Sequence, residues 1–363
     1  MTSQKFKQTE IGEIPEDWEV EKLGNSLKLN YGKSLPESER KFGKIPVFGS
    51  NGITGFHNEF LVKGPGIIVG RKGSVGEIKF CKDNFWPIDT TYYLTEKDTP
   101  LDLIFLYYKL LTLRINKMNS HAAVPGLNRE SVYIIETNIP PLQEQTAIAS
   151  ILSSLDAKIE LNNKMNKTLE SIGQAVFKKW FIEGVGAKFG EIIDNFDSKR
   201  VPLSSLERSK KKGAFPYHGA TGVLDYVDDF LFDGNYILMG EDGSVINKNG
   251  TPVLQYVRGK FWVNNHAHVI RARESFYNEF IYLLLSSTNV SQIVTGAVQP
   301  KINQQNMNNL EIVIPPEKVL NKFKKPLQNI FELIYKNKKQ NQNLSQIRDT
   351  LLPKLMSGEV RVR

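Results

Sequence analysis

The chain has 363 residues, enough for two domains with cores of their own, and its 40% apolar and 24% charged residues are an ordinary balance. No run of eighteen apolar residues occurs, which excludes a transmembrane helix, and the opening residues lack the apolar core of a secretion signal. One cysteine, Cys81, excludes an internal disulfide and fits a reducing cytoplasm; 47 basic against 39 acidic residues, a net charge of +8, suit a polyanionic partner without requiring one.

Residues 1–19 are polar. From Trp18 to Phe85, short β-branched pieces alternate with glycines, including Gly49, Gly52, Gly70, Gly73 and Gly76, a pattern of strands and hairpins. Residues 100–116 (PLDLIFLYYKLLTLRIN) predict a buried helix with Pro100 in its first turn. A polar loop, 119–129, and a short apolar piece lead to Ile139-Pro140-Pro141, which introduces a long helix over 142–181.

Apolar residues of that helix recur at spacings of four and three: Ile148, Leu152, Leu155 and Ile159, then Leu169 and Val176. This is a coiled-coil seam, with Asn162 and Asn166 as its polar positions. Displaced by 175 residues, the same positions fall on Phe323, Leu327, Ile330, Ile334, Asn337, Asn341, Leu344 and Leu351, so a second long helix is expected from Glu317. The lobe before it is duplicated too. Pro46 and Gly49 match Pro216 and Gly219, Gly70-x-x-Gly73-Ser74-Val75 matches Gly240-x-x-Gly243-Ser244-Val245, and Phe85-Trp86 matches Phe261-Trp262. Such a repeat fixes the plan of the chain. It reads as a first domain 1–141, a long helix 142–182, a linker 183–199, a second domain 200–316, and a second long helix with its tail 317–363. One chain supplies both helices, so an antiparallel intramolecular pair is expected. Its register sets Asn162 with Asn341, Asn166 with Asn337, Leu152 with Leu351, and Val176 with Leu327. Pro326 and Pro353 are expected to interrupt the second helix.

The opening IGEIPEDWEVEKLG, the IPPLQEQ entering the first long helix and the ending LLPKLMSGEV resemble the specificity subunit of type I restriction–modification systems. The resemblance covers nearly the whole chain. It implies an α+β fold of two target recognition domains, each reading half of a bipartite site in double-stranded DNA, and a helix pair that sets the spacer. It also implies partners: two modification (methyltransferase) subunits and restriction (translocase and endonuclease) subunits. S-adenosylmethionine, ATP and magnesium would then belong to those partners, with no cofactor in this chain.

Asparagine, glutamine, arginine and lysine are the side chains that read base edges. Such residues mark two equivalent polar loops, with His121, Asn128 and Arg129 in one and Lys301, Asn303 and Gln304 in the other. The same loops also suit ordinary solvated connections. In the glycine-rich turns, Arg71 and Lys72 could hold phosphates beside Ser74, whereas Glu241 and Asp242, beside Ser244, could only accept, for instance from a cytosine amine. Lys211, Lys212 and His218 complete the candidate DNA contacts, although a solvated loop explains the lysines equally well. No phosphate-binding or dinucleotide motif is present, and Asn138-Ile139-Pro140-Pro141 departs from the amino-methyltransferase motif, so a non-catalytic recognition subunit is expected. His266 and His268 would share a strand face, with no acidic cluster in the nearby sequence to complete a metal site. The rival readings are a self-contained DNA-modifying or DNA-cleaving enzyme and a coiled-coil scaffold.

Overall fold

The computed structural model describes residues 5–117, 126–181, 183–296 and 298–362. They form two compact units, Met1–Leu161 with Gln340–Arg363, and Asn162–Lys339. Each unit therefore contains one mixed lobe and half of each long helix.

In the first unit, Gly66–Gly70 is the central strand. Its sequence GIIVG is buried throughout, as expected of a strand covered on both faces. The four-stranded sheet runs Asn30–Tyr31, Thr91–Thr95, Gly66–Gly70, Ile78–Cys81. Beside it a three-stranded sheet pairs Val47 with Trp86 in parallel. The helix Leu103–Thr112 packs Leu103, Leu106 and Leu110 into the core with Ile67, Val69 and Leu94. It starts later than Pro100 suggested, because the Asp102 carboxylate caps the amides of Ile104 and Phe105, both at 2.9 Å. A second cluster gathers Trp18, Phe105, Ile148 and Leu152 against Leu355 and Met356.

The second unit repeats this plan at higher continuity. Its six-stranded sheet runs Ile193–Asn195, Ala267–Ala272, Phe232–Gly240, Leu254–Val263, Lys212–His218, Val223–Val227. One ten-residue strand, Leu254–Val263, does the work of Ile78–Cys81 and Trp86–Pro87 together. The parallel pair Tyr217 with Trp262 repeats Val47 with Trp86.

Residues 183–199, expected as a linker, are instead part of this unit. Val185–Lys188 pairs antiparallel with Glu311–Ile314, and Ile193–Asn195 pairs with Ala267–Ala272. The counterpart of Val185–Lys188 is Glu19–Lys22, which pairs with Glu136–Ile139. The repeat thus begins before residue 200. The backbone groups of Glu311–Ile314 find their ladder partner in the chain leaving the first long helix.

The long helices span Leu142–Trp180 and Glu317–Ser357. In the second unit Asn337 donates to Asn166, while Val176 and Leu327 share one cluster. In the first unit Leu152 and Leu351 share another, and Arg348 meets Asp156 at 2.6 Å. Rising numbers on one helix meet falling numbers on the other, so the pairing is antiparallel. The second helix continues through Pro326 and Pro353, contrary to expectation. Proline costs an interior helix roughly 3 kcal/mol. Burial of the neighbouring Leu327, Phe331 and Leu355 side chains, each worth roughly 1.5–3 kcal/mol, offsets that locally.

Candidate nucleic-acid interface

Each lobe joins its glycine-rich turn to its polar loop, two stretches far apart in sequence. In the first unit, the Arg71 amide donates to Thr90 O at 2.8 Å, and the Leu127 amide donates to Arg71 O at 2.8 Å. Lys72 bridges Gly126. The turn needs glycine on two counts: Gly73 sits at φ +76°, and a Cβ on Gly70 would fall 2.2 Å from the Ser74 carbonyl. In the second unit, the Glu241 amide donates to His266 O and the Ile302 amide to Glu241 O, both at 2.9 Å. Gly243 takes φ +83°, and Asp242 bridges Lys301.

The two surfaces differ in charge. In the first, the guanidinium carbons of Arg71 and Arg129 lie 5.2 and 5.5 Å from the ring centre of Tyr31, which is 53% exposed. Arg71 also faces Tyr92 at 5.8 Å and Arg129 faces Tyr133 at 5.6 Å. Tyr92 lies beneath, and burial first, then its Tyr31 neighbour, push its hydroxyl up to about 12, so it stays protonated and donates to Leu127 O at 3.0 Å. Lys72 is exposed and Ser74 half-buried.

In the second, Arg200 Nη1 meets Glu241 at 2.6 Å and donates to Ala267 O at 2.7 Å, and Nη2 lies 3.6 Å from Asp197. His268 faces Asp197 at 2.5 Å through Nδ1 and Ile302 O at 2.8 Å through Nε2. Burial pushes the Asp197 carboxyl up, but the His268 hydrogen bond and charge, the Val269 amide and Arg200 together hold it below its ordinary value. Asp197, Glu241 and His268 bring potential ligand atoms within 4.8 Å of one another, so the fold supplies the acidic cluster that is missing from the sequence around the histidines. Arg200 lies against both carboxylates, which makes this an ion-pair network rather than a cation site. Nor do the two histidines share a strand face: His266 is in the turn before the strand Ala267–Ala272, exposed and 3.5 Å from Asp242, and His268 is buried within it.

The remaining candidates divide. Asn128 and Asn303 are helix N-caps, accepting from Glu130 N at 2.9 Å and Asn306 N at 2.7 Å. Their Oδ1 atoms therefore serve the fold, on surfaces where Lys301, Gln304 and Ser244 are exposed. Lys211 and Lys212 pair with Asp228 at 3.7 Å and Asp225 at 2.6 Å, so this basic run is partly neutralised. His218 is no surface contact: it is buried, its ring lies 5.7 Å from that of Phe261, and Nδ1 is 2.8 Å from Gln255 Oε1. Desolvation by that burial lowers its basicity, against the pull of Gln255. His121 lies outside the described residues. Tyr31, Asp197 and Arg200 escape the sequence reading. Extending the repeat back through 183–199 would have aligned Tyr31 with Asp197.

A family model for the type I restriction modification DNA specificity domain matches residues 15–171 and 186–346. The chain is 27% identical to the type I restriction enzyme MjaIX specificity subunit of Methanocaldococcus jannaschii, over 99% of this chain and 97% of that protein. It is 24% identical to the HindI specificity subunit of Haemophilus influenzae, over 65% of this chain and 71% of that one. Its fold is similar to the crystal structure of the type I system S subunit from M. genitalium, with a TM-score of 0.64, 20% identity, and coverage of 98% and 99%.

Proposed function

The chain belongs to the type I restriction–modification DNA specificity family, and from that premise we propose that its two lobes read the two halves of one bipartite site. The carrying observation is a shared scaffold with divergent reading surfaces. Backbone contacts of the turn and loop repeat at equivalent positions, while Arg71 and Arg129 of one lobe are replaced by Glu241 and Gln304 of the other. A scaffold held constant beneath changed side chains suits two readers of different sequences.

The long helices set the number of base pairs between the half-sites. Double-stranded DNA, two modification subunits and restriction subunits are the partners. Methyl transfer, translocation and cleavage belong to those subunits, with S-adenosylmethionine, ATP and magnesium bound there. No helix among the described residues is long and apolar enough to cross a membrane.

The test is exchange of the second lobe for that of another family member, followed by mapping of methylated adenines in cells carrying the complex. Because Val185–Lys188 is a strand of this lobe, the exchange takes residues 183–316. One half-site should change and the other persist. If both change together, or methylation loses its sequence preference, the lobes are not independent readers.

A further inference from the structure

Four positions in each lobe occupy equivalent places and have diverged completely. In the first unit they are Tyr31, Arg71, Tyr92 and Arg129; in the second, Asp197, Glu241, His268 and Gln304. Register establishes the equivalence. Tyr92 pairs with Val69 on one side and Tyr31 on the other, and His268 pairs with Met239 and faces Asp197. Tyr92 Oη and His268 Nε2 meet the carbonyls of Leu127 and Ile302, the residues that also clamp the turns.

In the second unit the charges close on one another. Arg200 and Lys301 answer Glu241, and Arg200 and His268 answer Asp197. The first unit has no such closure. Among the described residues no carboxylate comes within 4 Å of Arg71. Among the described residues Arg129 has only its neighbour Glu130, whose carboxylate lies 3.5 Å from Nε. Two guanidinium groups on one exposed ring repel each other. That repulsion is relieved by an external group with paired acceptors. The Tyr31 ring holds the flat groups in place, so little side-chain freedom is lost when they bind. Guanine offers O6 and N7 side by side in the major groove, the pattern a guanidinium fork matches.

We propose that Arg71 and Arg129, stacked on Tyr31, form the guanine-reading element of the first lobe. The second lobe has replaced this element with an internally neutralised network and reads its half-site through other groups. The inference rests on the DNA-specificity reading above and assigns residues to it.

The experiment uses the complex with its modification subunits and duplexes carrying the mapped site, each base pair substituted in turn. Arg71→Lys and Arg129→Lys keep the charge and lose the fork; Arg71→Ala and Arg129→Ala lose both. Base reading predicts that lysine and alanine alike reduce discrimination at one G·C pair of the first half-site by roughly ten- to hundred-fold. The second half-site should be unaffected. Tyr31→Leu, at an exposed ring, should give the same positional loss and serves if an arginine variant does not fold. A phosphate clamp behaves otherwise: alanine weakens all sequences equally and lowers the salt slope by about one, and lysine rescues. That outcome, or unchanged discrimination in every variant, overturns the proposal. A parent complex with no sequence preference would instead overturn the specificity reading itself.

Discussion

The side-chain amide of Asn337 donates to the carbonyl oxygen of Asn166 at 2.9 Å, inside the second unit, where Asn166 is buried. Replacing one partner, as in Asn166→Leu, strands a polar group and should cost about 1–3 kcal/mol. The double change Asn166→Leu with Asn337→Leu should recover that loss and loosen the register instead. Denaturant unfolding of the two single variants and the double variant gives the coupling directly. Additive losses would show that the contact contributes nothing to stability.

The seam of the long helices has a period of seven, so matched seven-residue insertions in both helices keep it in phase. They add roughly 10 Å of helix at about 1.5 Å per residue. At about 3.4 Å per base pair, the spacer should lengthen by up to about three base pairs while the half-sites stay the same. Methylation mapping before and after the insertion reads this out. An unchanged spacer in an active variant would pass the role of ruler to the modification subunits.

Asn303 caps the short helix Gln304–Asn308. Asn303→Ala should destabilise the protein by about 1 kcal/mol through the lost cap. Asn303→Asp keeps an accepting oxygen and should hold stability near the parent, but it removes the amide that a bidentate adenine contact needs. Thermal unfolding and site discrimination, measured on both variants, separate the roles. If Asn303→Asp leaves discrimination intact, the residue is a cap alone.

Lys109 is buried against the side chain of Asn138 and the Met356 carbonyl, with no carboxylate partner among the described residues. Burial lowers its ammonium from 10.5 to about 7. The folded pKa lies below the unfolded one, so between them the unfolded chain binds more protons. Stability therefore rises from about pH 7 to about pH 10, at a slope approaching about 1.4 kcal/mol per pH unit, and the penalty stands in full below that window. The equivalent residues of the second lobe are Leu284 and Val313. Lys109→Leu with Asn138→Val copies that apolar pair and should flatten the slope. A wild-type protein with no slope across this window would contradict the assignment.

Fold and candidate site were legible to different degrees. The long helices, their seam and the duplication are periodic features, and periodicity survives in one dimension. A residue every three or four positions must share a helix face, and a motif repeated at constant offset must repeat its backbone. The glycines at 73 and 243 were legible for a similar reason, since a tight turn with positive φ demands them locally. What stayed hidden depends on partners distant in sequence. Asp197 and Arg200 looked like linker because their partners, His268 and Glu241, lie about 70 and about 40 residues away. Pro326 and Pro353 looked like helix breakers because propensity is local, whereas the packing that overrides it is not. His218 and Asn303 were chemically suitable DNA contacts, but only the folded chain shows one buried beneath Phe261 and the other holding a helix end. Tyr31 matters because the fold sets it beneath Arg71 and Arg129, forty and ninety-eight residues further along. Composition and spacing determine which elements form and how often they repeat; only tertiary contact decides which charges meet carboxylates, as Arg200 does, and which lie over an aromatic ring, as Arg71 does.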